Sequence, residues 1–150
     1  MRDMNRRSFL IHSCGTAAVL AGSNAFASIP EVAGSEDITG KMTWLNEPAS
    51  WKHSGDQLIV RSRPKTDFWR KTFYDYVTDN GHFFHVTATG NFVFEARIHG
   101  QYSAQYDQAG LMVRIDAENW MKCGTEFFEG KRHASVVFTR DFSEGLPHIW

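Results

Sequence analysis

The sequence is poor in the features that would indicate a chemical activity. It contains two cysteines, Cys14 and Cys123, and its 16 basic residues nearly balance its 17 acidic ones. Surfaces that bind nucleic acid need a basic excess, so we expect no nucleic-acid partner. The seven histidines are scattered, and no cluster of His, Cys and carboxylate residues has the spacing of a zinc site. We therefore predict no metal site, no cofactor and no catalytic residues.

Motifs for phosphate binding and covalent catalysis are also missing. The sequence contains no glycine-rich phosphate loop, no nucleophile elbow and no Cys-His pair. Asp75, Asp79 and Asn80 carry oxygens that suit calcium, but a turn needs Asp and Asn in any case. What the chain has is aromatic residues, 14% of its 150 positions, which predict one domain with a packed core.

The first 27 residues have the composition of an export signal. The segment RRSFL at positions 6–10 is typical of a twin-arginine signal, and the apolar run at 9–22 is too short to span a bilayer comfortably. Ala25-Phe26-Ala27 is a small-x-small cleavage site. We predict export through the twin-arginine machinery, a periplasmic or secreted location, and no membrane contact after cleavage. An uncleaved leader is the alternative.

The rest of the chain favours strands over helices. Residues 28–40 are small and polar and predict a linker, residues 41–143 predict an all-β domain, and residues 144–150 are a divergent tail. Eight or nine short strands with turns every 8–12 residues indicate an antiparallel β-sandwich or jelly roll. The clearest alternation of apolar and polar residues lies at 92–99.

Residues 105–130 predict a β-hairpin with two different faces. Alternation places an apolar set in the core and a polar set towards solvent. We expect Asp116 opposite Trp120 and Arg114 opposite Lys122. The apolar set consists of Leu111, Val113, Ile115, Cys123 and Phe127, and the polar set of Arg114, Trp120, Lys122 and Glu126.

Several segments, in this order, resemble a domain-of-unknown-function family labelled regulation-of-enolase protein. They are WLNEP at 44–48, DFWR at 67–70, DNGHF at 79–83, YDQAGLMVR at 106–114, WMKCG at 120–124 and SVV at 135–137. The resemblance implies a concanavalin A-like jelly roll, related to lectin and glycosidase sandwiches, and carries over no catalytic residues. The enolase label comes from eukaryotic members, and we expect it not to transfer to an exported protein.

The resemblance also implies a departure at the C-terminal end. Members of the family continue beyond the position of Ser143 with several more strands, whereas this chain turns to EGLPHIW. We therefore expect a sandwich that is incomplete at its C-terminus, with unpaired sheet edges and low stability.

The resemblance further implies that a concave sheet face takes a ligand, often a sugar. We expect the Trp120 ring to stack on the ligand, with polar side chains binding its hydroxyls. The complete candidate set is Arg114, Trp120, Lys122, Glu126, Gln108, Glu95 and Tyr106. The alternative is a solvated face with cross-strand charge pairs.

Three functions follow. The first is an exported, non-catalytic domain that binds a carbohydrate or similar polar ligand. The second is a weak glycoside-active enzyme, which needs two carboxylates that flank one bond, with Glu95 and Glu126 as the pair and Asp116 as a third. The last is a structural or interaction domain, or an inactive fragment.

Overall fold

The computed structural model describes residues 7–12, 38–55 and 57–149 of the chain. A short 3-10 helix at Thr39–Lys41 accompanies the strands. The strands are β1 (Arg7–His12), β2 (Thr43–Leu45), β3 (Ser50–Ser54), β4 (Gln57–Ser62), β5 (Phe68–Arg70), β6 (Val77–Asp79), β7 (Phe83–His85), β8 (Arg97–Gly100), β9 (Asp107–Arg114), β10 (Asn119–Phe128), β11 (Lys131–Arg140) and β12 (Phe142–Ile149). Within these ranges, no helix is long and apolar enough to cross a membrane.

The strands form two four-stranded sheets and two ribbons. One sheet has the order β3-β4-β1-β8 and the other the order β12-β11-β10-β9, while β2 pairs with β7 and β5 with β6. Every pairing is antiparallel. The predicted all-β, antiparallel β-sandwich is confirmed.

The core lies between the β9–β12 sheet and the two ribbons. Phe68, Trp120 and Val137 are its buried centre, and Leu45, Trp69, Phe83 and Met112 pack against them. We call the sheet face that carries Trp120 the inner face. The opposite, outer face carries Leu111, Val113, Met121, Cys123, Val136 and Phe138.

The hairpin forms as predicted, but its faces are reversed. Trp120 on the predicted polar face is only 4% exposed, whereas Ile115, predicted to be in the core, is 85% exposed. The ribbons cover the inner face and supply partners for its charged side chains, so burial of that face is tolerated. The register also differs from the prediction by two residues, since Arg114 lies opposite Trp120 and Met112 opposite Lys122.

Three other boundaries differ from the sequence prediction. Of the strand predicted at 92–99, only Arg97–Gly100 is formed, and Phe92, Val93 and Phe94 are exposed. The tail is part of the sheet, since β12 continues to Ile149 along β11. The ladder is irregular between Leu146 and Ile149, where Pro147 has no backbone amide to donate.

The N-terminal segment is the third difference. We predicted that residues 1–27 stand outside the fold, yet Arg7–His12 form a strand between β4 and β8. An extended segment satisfies the backbone donors and acceptors of both neighbours. The predicted cleavage site and most of the predicted linker lie outside the described residues, and export stays a prediction.

Candidate functional site

The structure divides the predicted site into a closed half and an open half. In the closed half, Trp120 packs edge-to-face against Phe68, with ring centroids 6.2 Å apart. Its Nε1 atom donates a hydrogen bond to the Ala117 carbonyl oxygen at 3.3 Å. Because only 4% of Trp120 is exposed, its ring is not open to a ligand in this structure, contrary to the stacking role predicted for it.

The two predicted cationic binding residues fasten the β5–β6 ribbon to the sheet. Arg114 makes a bidentate pair with Asp79, at 2.7 and 2.8 Å. Lys122 Nζ donates to Asp67 Oδ1 at 2.8 Å and to the Phe68 carbonyl oxygen at 3.0 Å. A guanidinium whose fork is filled by one carboxylate has few donors left for a ligand. Arg114 and Lys122 therefore hold the core closed in this structure.

A second polar network holds the end of the same sheet. Arg70 contacts Glu118 at 2.8 Å and Asp141 at 3.2 Å, and Lys71 contacts Asp141 at 2.5 Å. Hydrogen bonds from Lys71 and Arg70 hold the pKa of the Asp141 carboxyl below its ordinary value. Nearby, the buried Ser143 hydroxyl accepts the Arg70 amide at 2.8 Å. Sequence reasoning missed this network because its partners lie 48 to 71 positions apart and share no motif.

The open half is a polar trough on the inner face. Glu126 lies opposite Gln108 on one side and opposite His133 on the other, so these three form one row across β9, β10 and β11. The next row consists of Gly110, Gly124 and Ser135, and both glycines are exposed. We define the polar trough as Gln108, Gly110, Gly124, Glu126, His133 and Ser135.

The glycine pair makes the floor of the trough flat. A Cβ atom built on Gly124 would lie 2.5 Å from the Gly110 Cα atom, which is closer than real Cβ contacts. A side chain at either position would therefore force the strands apart. In this row the inner face of β9 and β10 is bare backbone, and a close approach of two backbones is one of the situations that require glycine in a strand.

An aromatic rim borders the polar row. Tyr106 is 59% exposed, and its ring lies 5.7 Å from that of Phe128 in a tilted arrangement. The Phe128 ring in turn lies 6.4 Å from the His133 ring. Tyr106 has a φ of 66°, a left-handed conformation that is uncommon for a bulky residue, and its amide donates to Phe127 O at 2.7 Å. The chain thus presents an open tyrosine beside the trough.

The remaining carboxylates are not gathered around one bond. Glu95 is exposed in the non-strand segment before β8, and Asp116 lies in the turn between β9 and β10. Hydrogen bonds from Asn119 and from the Glu118 backbone hold the pKa of Asp116 below its ordinary value. Glu95, Asp116 and Glu126 thus occupy three different elements.

Two of the three residues suited to calcium are engaged elsewhere. Asp79 pairs with Arg114, and Asn80 Oδ1 accepts the Asp67 amide at 2.9 Å. Over the described ranges, no group of three or more His, Cys, Asp or Glu residues could hold a metal ion.

Comparison with known proteins decides the family. Residues 44–145 match the family described as "Protein of unknown function (DUF1349)". The chain belongs to this family. The resemblance seen in the sequence is confirmed by a yeast relative, "Regulation of enolase protein 1" of Saccharomyces cerevisiae, which is 42% identical over 108 residues. Those residues are 72% of this chain and 54% of the relative, so the chain spans about half of the relative's length.

A solved structure supports the same assignment. A functionally unknown protein from Saccharomyces cerevisiae superimposes with a TM-score of 0.63 and 34% sequence identity, over 75% of this chain and 60% of that one. The polar trough and both fastening ion pairs lie within the residues that match the DUF1349 family, whereas β1 lies outside them.

The sequence predicted two trough residues and the rim tyrosine, and missed the other trough residues. Gln108, Glu126 and Tyr106 lie in or beside the open half. His133 and the glycine floor were not predicted as site residues. The signal that was available is the pair Gly110 and Gly124, because two glycines on one face of neighbouring strands indicate a close backbone approach.

Proposed function

We propose that this member of the DUF1349 family is a non-catalytic domain that binds a carbohydrate or similar polar ligand in the polar trough. The observation that carries the proposal is the exposed glycine floor, next to a row of three hydrogen-bonding side chains. A flat floor of bare backbone admits a ring lying on the sheet, and the row beside it supplies groups that can bind hydroxyls.

The side chains suit a polyhydroxylated ligand. The Gln108 amide offers donors and acceptors and the Glu126 carboxylate accepts, whereas Nδ1 of the His133 ring is buried, so His133 can present at most its Nε2 edge. Tyr106, on the rim, adds an exposed aromatic face of the kind that stacks on the apolar face of a sugar ring. Ligand sites commonly combine such a surface with a few convergent polar groups.

The test is a glycan array probed with the full-length chain, followed by titration of the best ligand. Glu126→Gln and Tyr106→Ala are expected to weaken binding by about tenfold or more, since each removes one direct contact. Glu144→Gln is the matched control, because Glu144 is exposed on β12 and pairs with Phe138 on the outer face. No saturable binding, or equal binding by all three variants, would contradict the proposal.

The same assay separates the glycoside-active alternative. Release of reducing sugar that is lost in Glu126→Gln would make the domain an enzyme instead of a binding module.

Export is proposed from residues 6–27 alone. Replacement of Arg6 and Arg7 by lysines should leave the chain in the cytoplasm of a bacterial host that has the twin-arginine pathway.

One observation favours a second candidate, an interaction domain. The outer face exposes Val113, Met121 and Phe138 side by side, and large exposed apolar patches mark protein contacts. The name of the yeast relative refers to enolase. Titration of the chain against a purified enolase tests this candidate, and binding that is lost in Phe138→Lys would favour it over the trough.

A further inference from the structure

An interior strand of the β3-β4-β1-β8 sheet, β1, comes from a segment that is distant in sequence from the other strands. β1 pairs with β4 over six positions, from Arg7 opposite Ser62 to His12 opposite Gln57. On its other edge it pairs with β8 over four positions, from Phe9 opposite Gly100 to His12 opposite Arg97. Without β1, β4 and β8 would each present a row of unpaired backbone groups to the other across a gap one strand wide.

The two flanking strands belong to the part of the chain that matches the DUF1349 family, and the strand between them does not. β4 and β8 lie within residues 44–145, whereas β1 ends at His12. Residues 13–38 separate β1 from the 3-10 helix, and a segment of that length can reach roughly 85 Å when extended. β1 is therefore joined to the domain by a long connection.

The residues of β4 and β8 determine where a strand that lies between them must carry apolar residues. Leu58 and Val60 of β4 are 5% and 6% exposed, and they lie opposite positions 11 and 9 of β1. Ile98 of β8 lies opposite position 11 as well. Residues directly opposite each other share one face of a sheet, so positions 9 and 11 share the face of Leu58 and Val60. An occupant thus needs apolar residues at two alternate positions, a requirement that Phe9 and Ile11 meet.

We propose that the gap between β4 and β8 is a strand-acceptor site that binds an extended peptide with apolar residues at alternate positions, and that Arg7–His12 is its tethered, exchangeable occupant. The backbone of both neighbours supplies the hydrogen bonds, as in other sheets that bind peptides by strand addition. The tether gives the segment of the same chain a high effective concentration, so a free peptide competes poorly until that segment is weakened. Cleavage after Ala27 would remove the tether and let a free peptide compete for the site.

The test measures the binding of a fluorescent peptide with the sequence of residues 7–12 to the full-length chain. Leu10→Pro weakens the tethered strand, because Leu10 pairs with both Ile59 and His99 and proline removes an amide in a central strand. We expect this variant to bind the peptide at least about tenfold more tightly than wild type does. Leu10→Val is the matched control, since it keeps the amide, and should resemble wild type.

A peptide that carries proline at the same position should bind neither protein. Equal binding of the normal peptide to wild type and Leu10→Pro, or equal binding of both peptides, would overturn the proposal.

A second measurement does not depend on whether Leu10→Pro folds. A protease site is inserted after Ala27, and the folded full-length chain is cut there.

In the cut protein, the N-terminal fragment should remain bound and should be replaced by an excess of the labelled peptide. If the fragment separates at once and no peptide is taken up, the gap does not accept a strand and the proposal fails. Neither experiment involves the polar trough, so the outcomes of both are independent of carbohydrate binding.

Discussion

At the scale of single residues, the cationic side chains of the inner face mainly form ion pairs that hold the β5–β6 ribbon against the sheet. Lys122 shows this most clearly, because its side chain is largely buried and reaches Asp67 and the Phe68 carbonyl oxygen on the ribbon. The two acceptors compensate for burying the Lys122 charge. If the cation were removed, Asp67 and the Phe68 carbonyl oxygen would each lose a charge-assisted hydrogen bond. Lys122, one of the seven candidate ligand contacts in the sequence, therefore helps to hold the ribbon against the core.

Replacement of Lys122 by methionine tests this role. Met keeps the length and apolar stem but leaves Asp67 and the Phe68 carbonyl oxygen without their donor, so we expect a loss of about 1–2 kcal/mol in the free energy of unfolding, measured in urea. Lys131→Met, at an exposed position of β11, is the control and should change stability by less than about 0.5 kcal/mol. Equal effects of the two substitutions would contradict a fastening role for Lys122.

His82 predicts a pH dependence of stability. Its Nδ1 atom lies 2.5 Å from the Asn46 carbonyl oxygen, and Nε2 accepts the Arg63 amide at 3.1 Å, so the ring is neutral with its proton on Nδ1. Burial, together with the Arg63 charge, lowers the His82 pKa below 6.5, and the hydrogen bond to Asn46 opposes this only in part. Between the lowered pKa and 6.5 the unfolded chain binds more protons, so stability increases with pH in that window.

The contribution of His82 is complete above its ordinary pKa and is lost as the pH falls. Urea unfolding at about pH 7.5 and about pH 5.5 should therefore show a larger loss of stability for wild type than for His82→Gln. His53→Gln, at an exposed position of β3, should keep the wild-type dependence. If wild type and His82→Gln lose the same stability, His82 is not the group responsible.

At the scale of elements, the β9–β10 hairpin depends on its glycine pair. Gly110 and Gly124 lie opposite each other, and a Cβ atom on Gly124 would meet the Gly110 Cα atom at 2.5 Å. Gly124→Ala should therefore cost about 2–3 kcal/mol of unfolding free energy, because the strands must move apart. Gly40→Ala is the control, since no atom lies within 4 Å of a Cβ built there. Similar stabilities of the two variants would show that the close approach is not needed.

The elements also show which properties could be predicted from the sequence. Alternation of apolar and polar residues located the hairpin, because period two follows from the backbone of a strand alone. Alternation could not decide which face is buried, because that depends on Asp67 and Asp79, which the β5–β6 ribbon brings to Lys122 and Arg114. The same limit applies to the trough, where Glu126 and Gln108 were both predicted but their position in one row with His133 depends on the strand register.

At the scale of the whole molecule, the two faces of the β9–β12 sheet are covered unequally. The inner face has the ribbons and the polar trough, while the middle of the outer face remains apolar and exposed. Val113 and Phe138 are 52% and 53% exposed, and Met121 lies directly opposite both of them. A sheet that presents such a row to water gains free energy by covering it, at about 25 cal/mol per Å² of apolar surface.

We expect this row to make the purified chain associate with itself at high concentration. Phe138→Lys places a charge at the centre of the row, where a second molecule would have to bury it without a partner, so it should shift the population to monomer. Light scattering coupled to size-exclusion chromatography over a concentration series measures this. Val77→Lys is the matched control, because Val77 is equally exposed on β6, away from the outer face, and should associate as wild type does. A wild-type chain that stays monomeric throughout, or an effect of Val77→Lys as large as that of Phe138→Lys, would show that the outer face does not drive association.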